Sequence, residues 1–227
     1  MKKKKRPFLI SILLWIIKIH VYLWILILAL CCIYSLVNPP ITPIMLHRYL
    51  IRQYDWHKRY FCPLTAIPTS TQKMVLNLED PNFYKHWGFE WQSIRTAWKK
   101  NTRAGKIKFG ASTITNQLAR TLFLTTHRNY FRKYLEAQIT IILELSMSKK
   151  RILELYLNYL ECGKGIYGLD SASRYYYSHS IRQLTTDESM RLVSILTNPI
   201  KYTPASFYRS RSAMQRYNML LRYSNGI

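Results

Sequence analysis

The sequence predicts an all-α domain carried on a single N-terminal transmembrane helix. Three observations predict it. From Phe8 to Val37 the chain is almost wholly apolar, broken only by Lys18 and His20. From about Thr71 onward apolar residues recur at three- and four-residue spacing, the period of a helix with one buried face. No run of useful length alternates apolar and polar residues as a half-buried strand would.

A helix over the apolar run would reach roughly 45 Å at ~1.5 Å per residue, against a hydrocarbon core of ~30 Å. Val21 to Val37 is its cleanest part, and Lys18 is placed to snorkel toward the headgroups. The basic cluster Lys2 to Arg6 puts the N-terminus inside and everything after Asn38 outside. A cleaved signal peptide competes, but the run is too long and no small-x-small site follows it. Leu28-Ala29-Leu30-Cys31 has the outline of a lipoprotein cleavage box, yet Leu30 is too large to precede the cysteine. The expectation is an uncleaved signal anchor. Residues 1–37 then form a basic tail and anchor, 38–70 a juxtamembrane segment, and 71–227 the outer domain.

Asn38-Pro39-Pro40 ends the anchor, and Pro43 is expected to keep the next segment from starting as a helix. Ile44 to Trp56 mixes apolar and basic residues, and reads as a stretch near the lipid surface or as a plain linker. Met74, Val75 and Leu78 mark one helix ending near Pro81; Trp91, Ile94, Ala97 and Trp98 mark another. Ser112 or Thr113 can cap a third, carrying Ile114, Leu118 and Leu122. A long helix from about Tyr130 shows Leu135, Ile139, Ile142 and Leu143. Ser148 has the form of the next cap, before Ile152, Leu155, Tyr156 and Leu160. Thr185-x-x-Glu188 is a capping box ahead of Leu192, Ile195 and Leu196, and Asn198-Pro199 stops that helix.

The 34 Lys+Arg against 11 Asp+Glu give a net charge of +23. That balance predicts an anionic partner: nucleic acid, an acidic membrane surface or a phosphorylated substrate. Cys31 and Cys32 fall in the bilayer. Cys62 and Cys162 would face an oxidising compartment and could pair, although two cysteines make no framework. His47, His86 and His127 are scattered without an HExxH pair, so no all-protein metal site is expected.

With so few carboxylates, each is a candidate. Glu79-Asp80 ends an apolar helix and is followed by Phe83, His86 and Gly88, a carboxylate beside a turn with aromatics to line a cleft. A general base for a sugar hydroxyl needs such a group; its plain alternative is a solvated helix residue. Lys106 to Arg120 reads KIKFGASTITNQLAR. Helix N-terminal amides, the hydroxyls of Ser112, Thr113 and Thr115, and basic side chains together suit phosphate oxygens. An ordinary N-cap would explain Ser112 but not the whole cluster. Arg132, Lys133 and Glu136 share one helical turn, either as a surface salt bridge or as cations presented to a pyrophosphate. Gly163 to Gly168 fits GxGxxG, but follows a helix and lacks a βαβ unit, so it is read as a tight loop.

Together these motifs resemble the monofunctional biosynthetic peptidoglycan transglycosylases, glycosyltransferase family 51. The family's EDxxFxxHxG stands as Glu79-Asp80-Pro81-Asn82-Phe83-Tyr84-Lys85-His86-Trp87-Gly88. Its GxSTITQQ stands as Gly110-Ala111-Ser112-Thr113-Ile114-Thr115-Asn116-Gln117, with Asn116 where Gln is usual and Arg120-Thr121 for the following Lys-Asn. RKxxE is Arg132-Lys133-Tyr134-Leu135-Glu136, and the fourth motif runs from Lys149 to Asn158. The resemblance covers about Pro39 to Pro204.

It implies a lysozyme-like, all-α glycosyltransferase domain on the outer (periplasmic) face of a bacterial inner membrane. It implies an inverting transferase that polymerises lipid II into β-1,4 glycan and releases undecaprenyl pyrophosphate. By the family's pattern Glu79 is the general base and Glu136 assists departure of the pyrophosphate. Ser112, Thr113, Gln117, Arg120, Arg132 and Lys133 would bind sugar and pyrophosphate. No tightly bound cofactor is implied, with a divalent cation (Mg or Mn) at the pyrophosphate as an option. The implied partners are lipid II, the nascent lipid-linked glycan, the membrane and other cell-wall synthesis proteins, and not nucleic acid. A muramidase or lytic transglycosylase is the nearest rival, but it needs no cations beside a second carboxylate. A binder of anionic lipid or nucleic acid would need neither Glu79 nor Glu136.

Overall fold

The apolar run folds as one helix, α1 (Phe8–Leu36), in a computed structural model of the protein that describes residues 8–106, 110–126 and 129–224. Lys2 to Arg6, Lys108 and His127 lie outside the described residues. Ile10–Leu36 is long and apolar enough to cross a membrane, with mean hydropathy 2.4 and only 6% of its most apolar window buried. One stripe of α1 is turned to protein instead of lipid. Trp24, Ile27, Cys31 and Tyr34, spaced i, i+3, i+7 and i+10, pack on the core. The His20 ring stacks on Tyr134 with centroids 6.0 Å apart, and Tyr34 meets Phe123 at 6.0 Å. The cleanest part of the apolar run therefore also carries the domain.

The end of α1 is tied down from a distance. The Arg151 guanidinium donates to the Tyr34 carbonyl (3.0 and 2.9 Å), the Val37 carbonyl (3.0 Å) and Asn38 Oδ1 (2.9 Å). The last carbonyls of a helix have no partner within it, and a cation suits the negative end of its dipole. Arg151→Ala is expected to lower the unfolding free energy by about 2 kcal/mol, the worth of hydrogen bonds to a charged group. Thermal denaturation in detergent measures this; an unchanged melting temperature would contradict it.

The next helix, α2 (Pro43–Arg52), corrects the expectation that Pro43 prevents a helix here. Proline stands at the first helical position, where its missing N–H would be unpaired anyway and its φ is already helical. Thr42 caps it, accepting from Met45 N at 3.3 Å. Ile44 and Met45 are buried, so the segment is a wall of the domain and not a linker. The chain beyond α2 is clamped to the domain through side chains. Asn158 accepts from Cys62 N (2.7 Å) and donates to Cys62 O (2.8 Å), and Ser171 accepts from Tyr60 N (2.8 Å). Asp55 packs so tightly on Gly165 that a Cβ there would lie 1.9 Å from its carbonyl oxygen.

The domain continues with α3 (Thr69–Glu79), α4 (Trp91–Ala104), α5 (Ile114–Phe123), α6 (Tyr130–Ser146) and α7 (Lys149–Tyr159). After a short hairpin come α8 (Leu169–Tyr177), α9 (Thr186–Ser194) and α10 (Arg211–Ser224). Helix α5 is central, burying Ile114, Leu118 and Leu122 against α6 and α7, while α6 also packs along α1. Thr113 caps α5, Ser148 caps α7, and Thr185 with Glu188 forms the capping box of α9. Among the described residues the strands are β1 (Glu161–Gly163) and β2 (Ile166–Tyr167), an antiparallel hairpin. They are too short to show a strand period, so the sequence read only a loop there.

Two points left open by the sequence are visible in the fold. The apolar face of α4 is not core: Trp91 is 73% and Trp98 is 74% exposed. Helical spacing marks an apolar face without saying what covers it. The disulfide left open between Cys62 and Cys162 does not form; both are buried and unpaired. The Cys162 thiol donates to the Leu160 carbonyl at 3.6 Å, and burial pushes its pKa up.

Candidate active site

Glu79 is the last residue of α3, and its side chain is 13% exposed. The neighbouring carboxylate has a different task. Asp80 accepts from His86 Nε2 (2.9 and 3.1 Å) and from Ile114 N (3.0 Å). It fastens the end of α3 to the first turn of α5. The loop from α3 to α4 closes at Gly88, whose φ is +75 and whose added Cβ would lie 2.6 Å from Thr140 Cγ2. The Gly88 carbonyl accepts from Thr113 Oγ1 (2.7 Å) and Asn116 Nδ2 (3.1 Å), and Asn116 also donates to Thr140 Oγ1 (2.9 Å).

These bonds change the expected anion site. The first amides of α5 serve the protein itself: Ile114 N donates to Asp80, and Asn116 N donates to Thr113 Oγ1 at 3.2 Å. Thr113 and Asn116 are buried, and their polar atoms hold the Glu79–Gly88 loop against α5. The anion that α5 receives at its N-terminus is Asp80. Asn116, the departure from the resembled motif, fills a structural position.

Both oxygens of Glu79 are engaged. Gln117 Nε2 donates to Oε2 at 2.8 Å, and the Arg216 guanidinium on α10 donates to Oε1. Tyr156 in turn donates its hydroxyl to Gln117 Oε1 at 3.1 Å, which sets the amide so that its nitrogen faces Glu79. Burial first, and then the nearby Glu79 charge, push Tyr156 well above the ordinary tyrosine pKa, so it stays a donor. A carboxylate has about four lone-pair sites, so these bonds aim the group and leave lone pairs unused.

Glu136, on α6, is 0% exposed. Arg132 pairs with one oxygen at 2.7 Å, Lys133 with the other, and Arg120 approaches to 3.9 Å. Three cations on one carboxylate leave a local excess of positive charge. Arg120 and Arg132, with Gln117, Tyr156, Arg48 and Asn198, line a polar cleft of about 450 Å³. Lys133 instead lines an apolar groove of about 760 Å³ built from Trp91, Ile94 and Trp98 of α4 and Ile141 and Leu145 of α6. Ser112 stands beside it, 3.5 Å from Lys133 Nζ.

A divalent cation fits this set poorly. Glu136 is a single carboxylate already carrying three cations, and among the described residues no three His, Cys, Asp or Glu converge to hold a metal. The structure thus joins Glu79 to Gln117, and Glu136 to Arg120, Arg132, Lys133 and, through Lys133, Ser112. Thr113 is spent on the cap. Arg216 was missed by the sequence reading, because it lies 137 residues from Glu79 in a helix with no local motif. Tyr156 stands in an apolar helix face and within the fourth motif, with no role legible from the sequence.

The family model described as Transglycosylase matches residues 47–224. Proteins named biosynthetic peptidoglycan transglycosylase are similar along much of the chain. The one from Dechloromonas aromatica is 42% identical over 69% of this chain and 65% of its own length. That from Bdellovibrio bacteriovorus is 37% identical over 83% of this chain and 76% of its own. That from Pseudomonas putida is 36% identical over 85% of this chain and 84% of its own.

Proposed function

The chain belongs to the family of biosynthetic peptidoglycan transglycosylases, and from that premise we propose that it polymerises lipid II into β-1,4 glycan strands. The growing strand, still on undecaprenyl pyrophosphate, is the donor, and lipid II is the acceptor. The acceptor 4-hydroxyl attacks the donor anomeric carbon while Glu79 takes its proton. The bond from that carbon to the pyrophosphate oxygen breaks, the electron pair leaves with the pyrophosphate, and the configuration inverts from α to β. Arg120, Arg132 and Lys133 offset the charge that develops on the leaving group. Glu136 holds those cations together against their mutual repulsion. No step is assigned to a metal.

One observation carries this reading. Gln117 and Arg120 stand three residues apart on α5, so one helix face braces the base and presents a cation from the cluster around Glu136. A hydrolase of the same polymer would need a base or acid pair but no clamp for a pyrophosphate.

The apolar groove beside Lys133 and Ser112 supports a lipid-linked substrate, with room for the prenyl chain next to the cations. Its exposed Trp91 and Trp98 suit the lipid–water boundary. The anchor lies in the cytoplasmic membrane with the domain on its outer face, where lipid II is used.

The test is a donor carrying one phosphate in place of two. With lipid II, one undecaprenyl pyrophosphate is released per linkage formed. The monophosphate analogue is expected to lose at least about tenfold in kcat/KM, one clamped contact of ~1.4 kcal/mol. Equal use of both donors would contradict the proposed clamp.

A further inference from the structure

Glu79 is held by two elements that lie far apart in the sequence. Gln117 of α5 grips one oxygen and Arg216 of α10 grips the other. Arg216 is mostly buried, its Nε is enclosed without a partner, and Glu79 is its only hydrogen-bond acceptor among the described residues. The guanidinium therefore answers to no competing structural partner. Helix α10 buries Ala213 and Leu220 and packs on α9 and on the short turns at 195–197 and 204–209.

We propose that Arg216 is a positioning residue for the transfer, fixing the rotation of the Glu79 carboxylate and supplying its counter-charge from the C-terminal helix. The inference rests on the reading of Glu79 as general base. A carboxylate gripped at one oxygen can still turn about its last bond; gripped at both, it presents its free lone pairs in one direction. A misplacement of about 1 Å at such a group can cost on the order of 10²-fold in rate. The contact also makes the base depend on α10, which touches neither the cation cluster nor the apolar groove in the bonds described above.

Lipid II polymerisation by the full chain in detergent tests this, comparing the wild type with Arg216→Ala, Arg216→Lys and Arg216→Gln. In Arg216→Ala kcat is expected to fall roughly 10–100-fold with KM within about twofold, the pattern of an interaction that serves the transition state. Arg216→Lys is expected to keep more activity than Ala. Added guanidinium at sub-denaturing concentration is expected to restore Arg216→Ala and to leave the wild type unchanged, which a merely structural role would not produce. A wild-type kcat in Arg216→Ala, or a loss confined to KM, overturns the proposal. If the alanine variant fails to fold by circular dichroism, Arg216→Gln carries the same two outcomes, since it keeps a donor without the charge. A wild type that leaves lipid II untouched would instead overturn the functional reading beneath it.

Discussion

Glu79→Gln is expected to abolish nearly all glycan synthesis, a loss of roughly 10²–10⁴ in kcat, while the protein keeps its fold. The amide cannot accept the hydroxyl proton, yet it matches the carboxylate in shape. Its oxygen can still receive the Arg216 guanidinium. Its nitrogen would meet the Gln117 amide, but that amide can turn over, because the Tyr156 hydroxyl that orients it can accept as well as donate. A melting temperature within a few degrees of wild type should therefore accompany the lost activity. Substantial polymerisation by this variant, measured on labelled lipid II, would remove Glu79 from the role of base.

Glu136→Ala should do the opposite kind of damage and unsettle the fold as well as the chemistry. The carboxylate is wholly buried, and its loss leaves Arg132, Lys133 and Arg120 facing one another. Breaking a buried ion pair from one side costs about 3–5 kcal/mol. At ~2–4 °C per kcal/mol for a chain of this size, the melting temperature should drop by about 10 °C. Lys133→Ala should be far milder in stability, because that side chain is 51% exposed and exposed pairs are worth ~0–1 kcal/mol. Its cost should fall on kcat/KM instead. A Glu136→Ala protein that melts within 2 °C of wild type, a margin of under ~1 kcal/mol, would mean the cations do not depend on it.

What could be read from the sequence depended on how local the cause was. The caps of α5, α7 and α9 were legible because a cap needs one side chain and the next three backbone amides. Glu136 with Arg132 and Lys133 was legible because their spacing on one turn already brings them together. Pro43 misled because the same residue ends one helix and begins another, and its neighbours alone do not decide which. Thr113 reads from its neighbours as part of a ligand site, yet its hydroxyl donates to Gly88, 25 residues back. The face of α4 was read correctly as apolar, but its covering could not be seen. Arg216 was beyond reach for the same reason: nothing near it in the chain announces Glu79.

The most direct measurement offers the detergent-solubilised wild type two substrates side by side, labelled lipid II and mature glycan strands, with Glu79→Gln as the control. Wild type is expected to convert lipid II to strands with release of undecaprenyl pyrophosphate and to leave mature glycan intact, and the variant is expected to leave both substrates unchanged. Cleavage of mature glycan with lipid II untouched would contradict this and make the cleft that of a hydrolase.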